Sequence, residues 1–231
     1  MATKSIISRA GGLARVFREG GGKQLISVLK QRWDSETQSY GLRRDLAVPF
    51  NAPEASIPVS VRPLVDSDIS SMLSLTAPGS TAEGREERRT RLQMLQNGIT
   101  RCYVAVTEND KPCYMQWLIG PELNDKMQTY FKGIYPRLKE GEALLEGAFT
   151  PEEYRGLRIM PAAMAQIAER GTQLGARYVL TFVTYDNIPS LKGCKRSGFS
   201  PYLMRYERWH RFRHKLTFSP LPEGTPYPFD N

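Results

Sequence analysis

The segment Phe149-Thr-Pro-Glu-Glu-Tyr-Arg-Gly-Leu-Arg-Ile-Met-Pro161 decides the fold, because it joins a strand-like run to a helix-like run. The apolar run at residues 143–149 predicts a strand, and residues 162–174 predict a helix that Gly175 can end. A second β-branched run follows at residues 178–184. Because a helix joins the two strands, we expect them to lie parallel in one sheet.

The turn inside this segment has the character of an anion site. The first amides of a helix lack internal partners and carry the positive end of its dipole. Arg155, Gly156 and Arg158 lie just ahead of those amides. This arrangement favours a phosphate group as ligand. A solvated loop between strand and helix would carry the same residues, so both interpretations stay open here.

A second group of residues follows the second strand. Asn187 stands at the end of the strand, a short helix follows, and Gly198-Phe199 closes that helix. Together with the arginine loop, these residues resemble the GNAT acyltransferase superfamily over roughly residues 57–215. In that family a loop of pattern Gln/Arg-x-x-Gly-x-Gly/Ala holds the pyrophosphate of acyl-coenzyme A, and Arg155 matches its first position.

The resemblance implies a fold, a reaction and a co-substrate. The expected fold is α+β, a mixed and mostly antiparallel sheet flanked by helices, of the GNAT-like acyl-CoA N-acyltransferase type with an N-terminal helical extension. The expected reaction transfers an acyl group from acetyl-CoA or another acyl-CoA to a primary amine by direct attack in a ternary complex. The implied cofactor-binding residues are Phe149, Arg155, Gly156, Leu157, Arg158, Ile159, Met160, Asn187 and Ser190.

Two features depart from the family pattern. Arg158 and Met160 stand where the family has Gly and Gly/Ala, and Pro161 removes an amide that could have donated. An arginine could instead supply a charge-assisted fork to the same phosphates. Cys194 stands in the helix where many members carry a tyrosine that protonates the departing thiolate. A small buried structural cysteine is the alternative interpretation of Cys194.

Acyl transfer to an amine needs a group that removes a proton from the amine. Glu146 lies inside the first predicted strand, on the face that alternation assigns to Leu144 and Ala148. Glu152 and Glu153 lie at the exit of that strand. We assign the base to Glu146 and the proton donor to Cys194. The alternative to an enzyme is a non-catalytic CoA-binding GNAT-like regulatory module, which the altered loop and the missing tyrosine would suit.

The charge, cysteine content and histidine content indicate the class of ligand, the redox environment and whether a metal site is expected. The 231 residues include 32 Lys plus Arg against 24 Asp plus Glu, a net charge of +8, which suits an anionic ligand. The three cysteines form no CxxC pair and leave one unpaired under any bridge, so we expect a reduced, cytoplasmic protein. His210 and His214 are its only histidines, and we expect no metal site.

Residues 1–56 differ from the rest and are predicted to be an amphipathic extension and linker, with residues 57–231 forming the acyltransferase domain. Apolar residues recur near helical spacing among basic ones, and no signal peptide or membrane span is predicted. Three alternatives remain for the apolar faces: packing on the domain, packing on a second subunit in a homodimer, or peripheral contact with an anionic membrane.

The C-terminal run from Pro201 interleaves basic and aromatic residues, as in Arg208-Trp209 and Arg211-Phe212. Such interleaving can bind nucleic acid. A closing β-hairpin with one polar face and one buried face explains the same pattern, and we favour it over a nucleic-acid interface.

Overall fold

The computed structural model describes residues 32–76 and 81–230 of the chain. The chain divides into two compact units. Among the described residues, the larger unit comprises residues 39–76, 81–204 and 220–230, and the smaller comprises residues 32–38 and 205–219.

The larger unit is built on one mixed sheet. The strands of the described residues are β1 Asp34–Asp45, β2 Val59–Pro63, β3 Cys102–Thr107, β4 Pro112–Ile119, β5 Glu142–Phe149, β6 Tyr178–Thr184, β7 Ser200–His210 and β8 Arg213–Pro220. In the larger unit their order is β2-β3-β4-β5-β6-β1-β7. β5 and β6 pair in parallel, whereas the β2/β3, β3/β4, β4/β5 and β1/β6 pairs are antiparallel. The predicted mixed, mostly antiparallel sheet is confirmed.

The helices of the described residues connect these strands. They are α1 Asp66–Met72, α2 Ala82–Gln96, α3 Asn124–Tyr130, α4 Ile159–Glu169 and α5 Ile188–Arg196. α2 begins where the Thr81 side chain accepts a hydrogen bond from the Gly84 amide at 3.0 Å. α4 continues into a 3₁₀ turn that ends at Gly175, whose φ of 69° is easily adopted by glycine. No helix in the described part of the chain is both long and apolar enough to cross a membrane.

Helices cover both faces of the sheet, and each face has its own apolar core. Successive side chains of a strand point to opposite faces. Tyr114 and Leu118 of β4 therefore pack on one side with α4 and α5, whereas Met115 and Trp117 pack on the other side with α1, α2 and α3. We call these the α4/α5 face and the α1–α3 face. The helices contribute Met164, Ile167, Leu191 and Cys194 to the first and Met72, Met94 and Met127 to the second.

Strand β1 was not predicted. Residues 39–45 of this strand pair with β6, so part of the predicted extension belongs to the sheet of the larger unit. The side chains of Tyr40, Leu42 and Arg44 all point into the core, and Arg44 is only 3% exposed. Because the third of these residues is charged, the sequence does not show the apolar alternation of a strand. Arg44 Nη1 donates to the carbonyls of Ala165 and Ser197 at 3.1 and 3.4 Å, and Nη2 pairs with Glu169. These partners satisfy much of the guanidinium's bonding capacity in the core.

Most of the other predictions for residues 1–56 concern residues that the structure does not describe. The predicted amphipathic helices fall on residues 6–33, of which residues 1–31 lie outside the described part of the chain. The predicted domain boundary near residue 56 stays a prediction.

The smaller unit contains the predicted C-terminal hairpin. β7 and β8 are joined at Arg211 and Phe212, whose φ values of 47° and 63° match a tight hairpin turn. Within this unit the Trp209 ring stacks on His214 with centroids 4.5 Å apart. The predicted closing β-hairpin is confirmed. The sequence analysis favoured this hairpin over a nucleic-acid interface.

Candidate functional site

The two parallel strands of the sheet separate along their length. β5 and β6 pair from Glu142 opposite Tyr178 to Leu144 opposite Leu180. β5 then continues to Phe149 and β6 to Thr184 without further pairing between them. Because a hydrogen-bonded ladder holds strands about 4.8 Å apart, its end allows a gap to open at the carboxyl ends of the strands. Such carboxyl ends are where open sheets bind ligands.

A β-bulge in β5 shapes the gap. Met115 of β4 pairs with Phe149, whereas Trp117 pairs with Glu146, so β5 holds one extra residue between these pairs. Gly147 in the bulge has φ of 70°, and a Cβ there would lie 2.7 Å from the Trp117 ring, so only glycine fits. Strict alternation is wrong here: Phe149 packs on the α1–α3 face instead of the opposite one.

A cleft of about 590 Å³ lies where β5 leads into α4; we call it the outer cleft. Eight of the nine predicted cofactor residues line it, and the ninth, Leu157, packs against the core of the α4/α5 face. The outer cleft is lined by Glu87, Ala148, Phe149, Thr150, Tyr154, Arg155, Gly156, Arg158, Ile159, Met160, Pro161, Asn187, Pro189, Ser190, Gly193 and Arg196.

The outer cleft is positively charged. Its lining carries three arginines, Arg155, Arg158 and Arg196, against one carboxylate, Glu87. Arg155 Nε donates to the Thr150 carbonyl at 3.2 Å, and its Nη2 lies 3.6 Å from Glu87 Oε2. The Glu87 carboxylate thus offsets only part of the positive charge. An anionic ligand is the natural complement of such a lining.

Arg158 adopts a backbone conformation that glycine usually occupies. Arg158 immediately precedes α4 and has φ of 55° and ψ of 22°, the left-handed conformation that side chains disfavour. Arg158 therefore holds a left-handed backbone, while its side chain adds a charge to the cleft. The Ile159 and Met160 amides remain in the first turn, where no preceding helical carbonyl can accept from them.

A smaller cavity of about 270 Å³ continues into the gap between β5 and β6; we call it the inner cavity. It shares Ala148, Met160, Asn187 and Ser190 with the outer cleft, so the two spaces adjoin. The inner cavity is lined by Arg91, Gln116, Glu146, Gly147, Ala148, Met160, Met164, Thr181, Phe182, Val183, Thr184, Asn187, Ser190 and Cys194.

Both residues predicted to be catalytic line the inner cavity. Glu146 is half-buried and accepts a hydrogen bond from the Tyr135 hydroxyl at 2.6 Å. Cys194 is 1% exposed, and its Sγ lies 3.9 Å from Met164 Sδ. Burial raises the pKa of Cys194 to about 12, so its thiol stays protonated at neutral pH. The other candidates, Glu152 and Glu153, are exposed in a 3₁₀ turn and line neither space.

Asn187 closes β6 and opens α5. Its Oδ1 accepts from the Ser190 amide at 3.2 Å, which caps the helix. The side-chain oxygen is therefore engaged in the protein, and the Nδ2 group is the part of Asn187 still suited to a ligand.

Sequence reasoning missed several lining residues because they come from distant elements. Arg91 reaches the cavity from α2, where its Nη2 donates to the Ala148 carbonyl at 2.8 Å and its Nη1 to the Glu87 carbonyl at 2.9 Å. Burial lowers the pKa of Arg91, although an arginine remains charged at neutral pH. Gln116 had a usable signal, since it is a polar residue in the middle of the apolar strand β4.

The described residues contain no group of three His, Cys, Asp or Glu side chains that could hold a metal ion. No protein-family model matches the chain. No curated protein matches its sequence significantly.

Solved structures do match. One is the GCN5-related glucosamine N-acetyltransferase region of a fungal multi-domain GH3 β-N-acetylglucosaminidase, with 15% identity, a TM-score of 0.50, and coverage of 82% of this chain and 22% of that one. A GNAT-family acetyltransferase from Colwellia psychrerythraea has 8% identity, a TM-score of 0.47, and coverage of 86% and 62%. A GCN5-related N-acetyltransferase from Sphaerobacter thermophilus has 13% identity, a TM-score of 0.46, and coverage of 89% and 58%.

The chain spans less than two thirds of the length of each of these structures. At such identities the likeness concerns the fold. With a TM-score of 0.50, this chain therefore has the fold of the fungal glucosamine N-acetyltransferase region.

Proposed function

We propose that the protein is an acyl-CoA-dependent N-acyltransferase, which transfers an acetyl group from acetyl-CoA to a primary amine by direct attack in a ternary complex. One observation carries this proposal. A positively charged cleft at the start of α4 adjoins a cavity lined by Glu146, at the gap between β5 and β6. A molecule with a phosphate end and a reactive thioester end would suit both spaces.

The residues of the outer cleft fit the pyrophosphate end of an acyl-CoA. Arg155 and Arg158 supply charge-assisted donors, and the Ile159 and Met160 amides supply backbone donors at a helix N-terminus. Asn187 and Ser190 border both spaces, where they could contact the arm that links the phosphates to the thioester. The other predicted binding residues, Phe149, Gly156 and Leu157, would shape the loop around them.

Glu146 is the proposed general base. The attacking amine is neutral, and its nitrogen becomes positively charged as its electron pair forms the bond to the thioester carbonyl carbon, so it must then lose one proton. The new C–N bond forms, the C–S bond breaks, the amine proton goes to the Glu146 carboxylate, and the thiolate departs. The hydrogen bond from Tyr135 holds this carboxylate in one orientation at the cavity wall.

Cys194 is the proposed donor of the proton that the thiolate takes up. It lines the inner cavity and is protonated at neutral pH. Its pKa of about 12 lies above the value of roughly 8.5 for an ordinary thiol. Proton transfer from Cys194 to such a thiolate is therefore uphill, and we expect water to compete with it.

The decisive experiment combines calorimetry with an assay of thiol release. Acetyl-CoA and desulfo-CoA are titrated into the wild type and into Arg155→Ala and Arg158→Ala, with Arg137→Ala as a control, since Arg137 is exposed and lies outside both spaces. We expect binding that weakens in the first two variants only, and thiol release with at least one amine. Saturable binding without turnover on any amine would support the non-catalytic CoA-binding module. No binding by the wild type would contradict both functions.

The cytoplasmic location, the homodimer and the membrane contact of residues 1–56 are further proposals. Removing residues 1–56 would delete β1, so a membrane test should keep that strand. We suggest co-sedimentation with anionic vesicles for the wild type and for a variant with Ile6, Leu13 and Phe17 changed to Gln. Equal, negligible sedimentation of both proteins would exclude the membrane contact.

A further inference from the structure

Gln116 occupies an unusual place in the sheet. It lies on β4 between Met115 and Trp117, at the step in register that the β5 bulge causes. It therefore stands opposite the bulge residues Gly147 and Ala148. Gln116 is only 2% exposed, yet its side chain forms part of the inner cavity wall.

The Gln116 amide is held by one end only. The Tyr114 hydroxyl donates to Gln116 Oε1 at 2.7 Å, and Tyr114 is itself fully buried. Within residues 32–76 and 81–230, Gln116 Nε2 has no hydrogen-bond acceptor. Nε2 is not among the fully buried side-chain atoms that lack a partner, so it keeps some exposed surface, and Gln116 lines the inner cavity. The two N–H groups of Nε2 are thus available to an acceptor inside the inner cavity.

Gln116 and Glu146 approach the inner cavity from opposite faces of the sheet. Gln116 alternates with Tyr114 and Leu118, which pack on the α4/α5 face. Glu146 alternates with Leu144, which packs on the α1–α3 face. A group bound in the cavity would therefore have an amide donor on one side and a carboxylate acceptor on the other.

We propose that Gln116 is a catalytic residue whose Nε2 donates a hydrogen bond to the oxygen of the acyl thioester; this rests on the proposed acyltransferase function. As the amine's electron pair forms the C–N bond, the carbonyl π electrons move to that oxygen, which becomes negatively charged. They return when the C–S bond breaks and the thiolate leaves. A prearranged donor at the developing charge lowers the barrier most. Tyr114 is a positioning residue, because its hydrogen bond to Oε1 orients Nε2 away from itself.

The test compares Gln116→Met with the wild type and with Gln96→Met, which makes the same change at an exposed position of α2 outside both spaces. Loss of an oxyanion donor should lower kcat by roughly 10²-fold. The KM for acetyl-CoA and the Kd for desulfo-CoA should stay unchanged, as should the kcat of Gln96→Met. Unchanged kcat in Gln116→Met would overturn the proposal. The proposal would also be overturned if the Kd for desulfo-CoA rose by the same factor by which kcat/KM fell. In that case the Gln116 amide would bind the cofactor arm and not the developing charge.

A second variant controls for the possibility that Gln116→Met loses activity because it misfolds. Gln116→Met leaves the buried Tyr114 hydroxyl without its acceptor, whereas the double variant Tyr114→Phe/Gln116→Met removes both polar groups. The double variant should show the same loss of kcat with a higher melting temperature than the single one. Thiol release by the wild type separates the two proposals. Wild-type turnover with an equally active double variant overturns the role of Gln116 alone, whereas no wild-type turnover with any amine overturns both.

Discussion

The Arg91 guanidinium donates through Nη2 to the Ala148 carbonyl, 2.8 Å away, and so ties helix α2 to the bulge of β5. Ala148 lines both the outer cleft and the inner cavity. Arg91 thus holds the backbone at the point where the two spaces adjoin. Its Nε is buried and has no acceptor among the described residues, so the side chain is placed there at an energetic cost.

Replacing Arg91 should therefore affect turnover more than cofactor binding. We expect Arg91→Met to lower kcat by roughly tenfold or more, because a hydrogen bond to a charged donor contributes about 1.5–3 kcal/mol. Arg89→Met is the control, since Arg89 is an exposed residue of the same helix that pairs with Glu86. Steady-state kinetics with acetyl-CoA measure both variants, and equal kcat values would contradict the role of Arg91.

Gly147 should not tolerate a side chain. In Gly147→Ala the new Cβ would lie 2.7 Å from the Trp117 ring, in a backbone conformation that side chains disfavour. We expect the free energy of unfolding to fall by about 2–4 kcal/mol, the sum of overpacking and backbone strain. Gly141→Ala is a matched control, because Gly141 has φ of 79° and no atom within 4 Å of the new Cβ. It should lose only about 1 kcal/mol. Equal losses in urea unfolding would mean that the Trp117 contact is relieved by movement.

Arg158 should show opposite effects on stability and on binding. Arg158→Gly relieves a left-handed backbone and should raise the free energy of unfolding by about 1 kcal/mol. The same change removes a cation from the outer cleft and should weaken acetyl-CoA binding by roughly tenfold. Arg158→Ala should weaken binding equally without the gain in stability, because alanine keeps the strain. Calorimetry and urea unfolding together check this, and a Gly variant with unaltered affinity would remove Arg158 from the binding site.

Asp68 should make stability depend on pH. Burial alone raises the pKa of Asp68, but hydrogen bonds from Arg62 at 2.6 and 3.0 Å and from the Val65 amide outweigh it, so the net pKa lies below its usual value. The stabilisation is therefore fully present above about pH 3.9 and is lost as the pH falls through the lower folded value. Asp68→Asn should cost about 1.5–3 kcal/mol at pH 7. The difference from wild type should shrink below about pH 3.9 in unfolding experiments, and a constant difference would count against the ion pair.

Cys194 should contribute little to turnover. General acids typically contribute roughly 10²–10⁴-fold, but a thiol with a pKa of about 12 is a weak donor to a thiolate. We expect Cys194→Ala to lower kcat less than about tenfold and to lower the melting temperature, because the side chain fills the core between α4 and α5. A loss of kcat well beyond tenfold at unchanged stability would contradict this weak contribution and make Cys194, and not water, the main proton donor.

Local patterns in the sequence were sufficient to predict the strand, loop and helix at residues 143–174 and the second strand at 178–184. They worked because apolar periodicity and glycine stops act over a few residues. The arginine loop was likewise predictable, since Arg155 and Arg158 are adjacent in sequence to the helix that they precede. Strand β1 was not, because its core face carries Arg44, which becomes favourable only when Ala165, Ser197 and Glu169 are in place.

The amino-acid sequence by itself determined the outer cleft, whose residues come mostly from one contiguous loop and the next helix. Only the tertiary structure decided the inner cavity. Gln116, Arg91 and Glu146 lie on β4, α2 and β5, and the end of the β5/β6 ladder and the bulge at Gly147 bring them to one space. The physical reason is that register and ladder length depend on pairing between distant strands and on contacts such as that of Gly147 with Trp117, which no local pattern encodes.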